Sequence, residues 1–203
     1  IKDGGPPIGS WSSGGNLPQN MILQGAFGGR DSVTTGGGST STGYVGDSFQ
    51  YNGVSWSEIT EISTVRNQSA GLGTQNSGLV AGGYRASPAG VVGLVENWNG
   101  SSWTEVADVS PVRTGAGTAG VYTAGLVFGG SQPPLTASTM TWNGSAWTEV
   151  NDLNAARNRF MGQAIGTQTA ALAVEGEGVA GTESWNGTSW TEVNDLNTPR
   201  HLG

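Results

Sequence analysis

The chain has no cysteine, one lysine and one histidine among its 203 residues, and charged residues make up only 11% of it. Without cysteine there is no disulfide, thiolate zinc site, iron–sulfur cluster or cysteine nucleophile. The lone His201 cannot build a multi-histidine metal site. Lys2 and seven arginines stand against 15 acids, a formal charge of −7. No basic stripe exists to neutralise a phosphate backbone, so nucleic acid is excluded as a partner. Long apolar runs are also missing. The longest, such as Ala170-Ala171-Leu172-Ala173-Val174, fall far short of the ~20 residues that span a bilayer. No membrane insertion is expected, and no signal peptide is visible. A chain opening at Ile1 instead of Met is expected of a processed protein or a piece of something longer.

What the chain has in abundance is glycine, 36 residues, which weakens helix interiors by about 1 kcal/mol relative to Ala and suits turns and closely apposed strands. It also has internal repeats. Tyr51-Asn52-Gly53-Val54-Ser55-Trp56 recurs as Trp98-Asn99-Gly100-Ser101-Ser102-Trp103, Trp142-Asn143-Gly144-Ser145-Ala146-Trp147 and Trp185-Asn186-Gly187-Thr188-Ser189-Trp190, at spacings of 47, 44 and 43 residues. Each copy is followed by Glu58, Glu105, Glu149 or Glu192 and then by Arg66, Arg113, Arg157 or Arg200. A Gly-rich strand pattern and a second apolar strand ending in Gly82-Gly83 or Gly129-Gly130 complete a unit of four short strands.

Asn-Gly favours a two-residue type I′ hairpin. With Asn99 and Gly100 as the turn, Trp98 is expected opposite Ser101 and Glu96 opposite Trp103. The indoles then lie diagonally on one face. A small sheet cannot bury such a slab alone and must stack on the next repeat. Stacked four-stranded units at this period predict an all-β fold, a β-propeller. Residues 16–203 amount to four repeats of 47, within the known range of roughly four to eight blades. Residues 16–29 resemble what the C-terminal repeat lacks, so four blades closed by N- and C-terminal strands are expected, with residues 1–15 as an extended arm and 16–203 as the propeller domain. A second alignment reads Gly9-Ser10-Trp11-Ser12-Ser13 as a fifth copy of the Ser-Trp-Thr-Glu strand, which gives five blades or part of a longer array.

The order Gly-Gly, Val95-Glu96, Trp98, Ser102-Trp103-Thr104-Glu105-Val106 and Pro111-Val112-Arg113 resembles the kelch repeat over most of the chain. The phrase at 185–197, nearly repeated at 142–154, is similar to repeat arrays of bacteriophage, especially marine phage, structural and tail-associated proteins. The resemblance implies a virion protein. Kelch propellers often have more blades than this chain supplies. The copper oxidases among kelch-like propellers use a Tyr–Cys crosslink that a cysteine-free chain cannot make.

No catalytic, cofactor or metal residues are assigned. His201 is read as a surface or closing-strand histidine, and the repeated glutamates as solvated positions a blade apart. Gly36-Gly37-Gly38-Ser39-Thr40 lacks the Lys of a phosphate loop and is read as a flexible blade connection. Asn99, Asn143 and Asn186 match the glycosylation sequon, but backbone geometry already explains them. The repeated arginines are expected to pair with Glu and backbone carbonyls, and the tryptophans to pack between blades.

The stretch from the double glycine to the next aromatic differs in every repeat, from 22 residues (Gly29 to Tyr51) to 9 (Gly176 to Trp185). Specificity on repeat scaffolds sits in such unequal loops. Arg30 and Tyr44 in the first, Tyr84, Arg85 and Pro88 in the second, and Gln132 and Pro133 in the third form the candidate contact surface. The expected function is a non-enzymatic binding or assembly module: a bacteriophage virion component in capsid or tail decoration or host-surface contact. Its expected partners are other virion proteins or a host-surface glycan or receptor, within an oligomeric assembly. The alternative is a secreted or cell-surface lectin.

Overall fold

The computed structural model describes residues 15–158, 160, 165–176 and 181–196. Residues 1–14 of the expected N-terminal arm (1–15), together with Arg200 and His201, lie outside them. Among the described residues there is no helix, and the fold is all-β. Nineteen strands of the described residues form five antiparallel sheets. The first sheet runs β1 (Gly25–Gly29), β2 (Ser32–Thr40), β3 (Gly43–Tyr51) and β4 (Trp56–Ile59) as a meander. After β5 (Arg66–Asn67), the second sheet takes β6 (Ala70–Thr74) and β7 (Ser77–Ala81). A hairpin of β8 (Tyr84–Ala86) and β9 (Ala89–Val91) interrupts it and pairs with β5 in a small separate sheet. The second sheet then finishes with β10 (Val95–Trp98) and β11 (Trp103–Val106). The third sheet is β12 (Gly117–Val121), β13 (Ala124–Phe128), β14 (Thr139–Trp142) and β15 (Trp147–Val150). The fourth is β16 (Gly166–Thr167), β17 (Ala170–Val174), β18 (Thr182–Trp185) and β19 (Trp190–Val193).

Each four-stranded sheet is therefore drawn from one segment of chain, the second with the β8–β9 hairpin inserted, and among the described residues no sheet shares N- and C-terminal strands. The expected joint blade is corrected for a physical reason. The aromatic strand pairs with the apolar strand before it, as Val95 with Ala81 and Trp98 with Gly78, and not with the Gly-rich strand that follows. Residues 25–29 consequently open their own sheet. The Gly-rich edges lie side by side, β1 against β6, β6 against β12 and β12 against β16. Thr118 Oγ1 donates to Gly71 O at 2.6 Å and the Ile165 N–H to Thr118 O at 3.2 Å across these seams.

The hairpin register is also corrected. Trp98 stands opposite Trp103 and Glu96 opposite Glu105, so the turn holds four residues. The Asn99 side chain explains the longer loop. Its Oδ1 accepts the backbone N–H groups of Ser101 and Ser102, each at 2.9 Å, and Asn52, Asn143 and Asn186 do the same. This Asx turn competes successfully with the two-residue turn. The indoles become direct cross-strand partners, with Trp98 and Trp103 ring centroids 5.2 Å apart.

The core lies between sheets. The aromatic face of one sheet covers the apolar face of the sheet before it. Trp103 meets Phe27 edge-on at 6.0 Å. Trp142 and Trp147 join Leu72, Leu79, Val95 and Val109, and Trp185 and Trp190 join Ala119, Leu126 and Leu153. The second indole of the hairpin also donates backward, Trp103 Nε1 to Thr60 O and Trp147 Nε1 to Ala107 O, both at 2.9 Å. Packing between sheets is thus the observed role of these tryptophans, as the sequence led us to expect.

Gly36–Thr40 proves not to be a flexible connection. It is part of β2 and mostly buried. A bulge between Gly36 and Gly38 bends the strand, and Ile62 and Trp103 press so closely that a Cβ on Gly36 would meet them at 3.0–3.2 Å. Glycine is there to admit those side chains, not to confer mobility.

Candidate functional site

The connections between second and third strands leave every sheet at the end away from the Asn-Gly turns, and this end carries the irregular structure. In the first sheet the connection is a tight tip at Ser41-Thr42, because β2 and β3 continue as one long hairpin. In the second it is the β8–β9 hairpin, with a cis Ser87-Pro88 bond at its tip. In the third it folds on itself through bridges from Ser131 to Thr114 and Leu135, around a cis Pro133-Pro134 bond.

This geometry brings Tyr44 of the first sheet and Tyr84 of the second together. Their rings meet edge to face with centroids 6.2 Å apart, a favourable arrangement of aromatic quadrupoles. Tyr44 is exposed and Tyr84 half-buried. Beside them Arg85 is half-buried, its Nε donating to Pro88 O at 3.1 Å to close the hairpin. Pro88 is exposed at the tip, as are Gln132 and Pro133 on the next connection. Arg30 does not belong here. It sits in the β1–β2 turn at the opposite end, where it forms an exposed ion pair with Asp31, Nη2 to Oδ2 2.8 Å. Hydrogen bonding from Arg30 lowers the Asp31 carboxyl below the ordinary range, and the same contact raises Arg30. The Gly29–Tyr51 stretch, expected as one loop, is mostly two paired strands, which set Arg30 at the end opposite Tyr44.

One feature of this end escaped sequence reasoning. The segment before β1 bridges Ile22 to Ser39 and leaves an open groove of about 530 Å³ lined by Asn16, Leu17, Gln19, Met21, Ser39 and Thr40, among others. Gln19 Nε2 donates to Asp47. The groove offers amide and hydroxyl groups over Leu17 and Met21, a surface suited to uncharged polar groups carried on an apolar frame. No repeat signal marked it, since the segment has no counterpart with the same residues later in the chain.

The repeated charged residues separate into two sets. Glu58, Glu105, Glu149 and Glu192 are exposed on the outer strands. Among the described residues the repeated arginines, Arg66, Arg113 and Arg157, are interior and structural. Arg66 pairs with Glu96, and Arg157 with Glu183, all four side chains buried. Among the described residues Arg113 has no carboxylate in contact. Its Nη1 donates to Gly129 O at 3.1 Å and Ser138 O at 2.9 Å, and its Nη2 to Ser138 Oγ at 3.2 Å. Burial pushes Arg113 down to about 10, with Asp152 and Glu149 opposing the shift. The buried Glu96 and Glu183 were not singled out from sequence. Their signal was a glutamate two residues before the first indole of the hairpin, and so on the indole's side of the strand.

Among the described residues no group of three or more His, Asp or Glu side chains could hold a metal ion. Comparison with known protein families and with curated proteins finds no match to the chain.

Proposed function

We propose that this chain is a non-enzymatic binding or assembly module made of kelch-like propeller blades, and that it serves as a structural component of a bacteriophage virion, in capsid or tail decoration or host-surface contact. The observation that carries the modular reading is how the side chains divide. Recurring residues, Trp98, Arg66, Glu96 and their counterparts, are spent on holding sheet to sheet. The residues that differ between repeats, Tyr44, Tyr84, Pro88, Gln132 and Pro133, gather at one end. This is the arrangement of a rigid scaffold with adaptable contacts. Consecutive antiparallel meanders whose first strands lie side by side support blades. An exposed face on the fourth sheet favours five or more blades, or a longer array, over closure by four. The virion assignment rests on the Trp-Asn-Gly-Thr-Ser-Trp-Thr-Glu-Val phrase and its near copy.

An antibody raised against the chain tests the virion reading. It should label purified particles of the source phage at a fixed copy number, and particles without the chain would overturn it. The lectin alternative draws on the tyrosine pair and the adjoining groove with its amide and hydroxyl groups. It predicts binding of the isolated chain on a glycan array that Tyr84→Ala abolishes while the fold, read by circular dichroism, is unchanged.

A further inference from the structure

The interfaces between successive sheets repeat position by position, and the fourth sheet breaks the pattern on one face. Leu79 of β7 and Leu126 of β13 are 0% exposed under the following sheet, whereas Leu172, which takes the same register place in β17, is 39% exposed. Ile62, Val109 and Leu153, each six residues after the second aromatic of its hairpin, are 1–4% exposed, whereas Leu196 is 46% exposed. Leu72 and Ala119, at 0%, contrast with Ile165 at 37%. Ile59, Val106 and Val150 are half-buried, while Val193 is exposed. Four apolar positions that the next sheet covers elsewhere are uncovered together.

What covers these positions elsewhere is specific. It is a sheet face with a small residue on its second strand, Gly78, Gly125 or Ala171, and an aromatic pair on its hairpin. The first sheet carries such a pair, Tyr51 and Trp56, with centroids 5.1 Å apart and planes inclined at 40°, matching 5.0 Å and 43° for Trp142 and Trp147. Tyr51 is only half-buried where Trp98, Trp142 and Trp185 are buried, and Val33 is half-buried where Gly78 and Gly125 are buried. The described residues thus leave an apolar face without aromatics over it at one end and, at the other, an aromatic face covered only in part, where Trp56 Nε1 donates to Gly15 O at 3.1 Å.

We propose that a second copy of the chain docks head to tail, its Val33–Tyr51–Trp56 face covering Ile165, Leu172, Val193 and Leu196. Such a contact is heterologous. It closes into a ring if the rotation per copy allows and otherwise continues as an array. The proposal rests on the observed sheet stacking, and on the blade reading above only for the shape of the assembly.

Sedimentation velocity and light scattering on the 203-residue chain test it. Dimers or larger species that grow with concentration are expected. A double variant, Leu172→Asp with Leu196→Asp, should dissociate at concentrations about a hundredfold higher than the parent, with unchanged circular dichroism because both side chains are already exposed. Cysteine pairs provide a second reading in a chain that has no cysteine of its own. Under oxidation, L172C mixed with Y51C should give a disulfide between different chains. A monomer at all concentrations would overturn the proposal, and so would an L172C/Y51C double variant that crosslinks only within one chain. Efficient crosslinking of L172C to itself would overturn it too, by showing a two-fold pairing instead. A density map with the sheets laid in a line would sink the blade reading and leave the docking result standing.

Discussion

Arg66 Nη1 lies 2.5 Å from Glu96 Oε1, both side chains are buried, and Met140 takes the glutamate's register position in the third sheet. The second oxygen of Glu96 accepts the Ser63 backbone N–H at 2.7 Å, so the pair ties the chain leaving the first sheet to the second. The third sheet manages without the carboxylate because Ser138 supplies both its carbonyl and its hydroxyl to Arg113. Leu94 stands where Ser138 does, each giving its carbonyl to the first glycine of the double-glycine step. Glu96→Met should therefore cost about 3 kcal/mol, the range for breaking a buried pair. Adding Leu94→Ser should recover about 1 kcal/mol, the worth of a hydrogen bond to a charged group less the lost packing. Urea unfolding of the three proteins reads both numbers, and strict additivity of two losses would rule out the compensation.

Arg113 gives a pH dependence of defined sign. Burial holds its guanidinium at about 10 in the folded chain, well below the ordinary arginine value of the unfolded chain. Between those values the unfolded chain binds more protons than the folded one, so the folded state gains from this group as pH rises. Below about pH 10 it contributes no slope. The stability of the parent minus that of Arg113→Met should be flat from pH 7 to 9 and then climb, by at most about 3 kcal/mol. Groups common to both proteins cancel in the difference. Urea midpoints at pH 8, 9, 10 and 11 measure it, and a fall above pH 10 would contradict the assigned cause.

The fold was legible where a residue type repeated with a geometric reason. The tryptophan pairs Trp98–Trp103, Trp142–Trp147 and Trp185–Trp190 could be buried only by stacking, and the structure stacks all three. Arginines in register were expected to find carboxylates and carbonyls, and Arg66 and Arg157 find both, while Arg113 finds carbonyls and a hydroxyl. The hairpin register was misread because backbone propensity for Asn-Gly was weighed without the Asn side chain, whose Oδ1 satisfies two N–H groups of a longer turn. The shared blade was misread because composition does not say which neighbour an apolar strand pairs with. Among the candidate contact residues, Tyr44 meeting Tyr84 depends on two insertions of unequal length reaching the same height, and nothing in either loop alone encodes that.

The Asx turn makes its own prediction. Asn99→Ala leaves the Ser101 and Ser102 N–H groups to water and should cost about 1 kcal/mol, like loss of a helix cap. Asn99→Asp keeps the acceptor and should cost under half as much. Gly100 sits at φ +96°, so Gly100→Ala should cost about 1–2 kcal/mol through backbone strain alone. Thermal midpoints of the three variants test this ranking. An Asn99→Asp as damaging as Asn99→Ala would mean the Oδ1 contacts carry nothing.

Gly71 tests the seam between sheets more severely. Its backbone is not in the left-handed region, so alanine is conformationally acceptable, yet a Cβ there would lie 2.1 Å from Ala26 O on the neighbouring sheet's edge strand. That atom is main chain and held by the β1–β2 ladder through Ala26 and Thr35. It cannot rotate away, so relief requires β1 and β6 to separate and to loosen the Thr118 Oγ1 bond to Gly71 O on the other side. Gly71→Ala should cost about 3 kcal/mol or more, at the upper end for overpacking. Gly43→Ala is the control. Its Cβ meets nothing within 4 Å although φ is +142°, so only backbone strain of about 1–2 kcal/mol remains. Denaturant unfolding of both, with hydrogen exchange on the β1 and β6 amides, separates the cases. Equal losses, or full exchange protection in Gly71→Ala, would show that the seam between these edge strands is looser than the close approach implies.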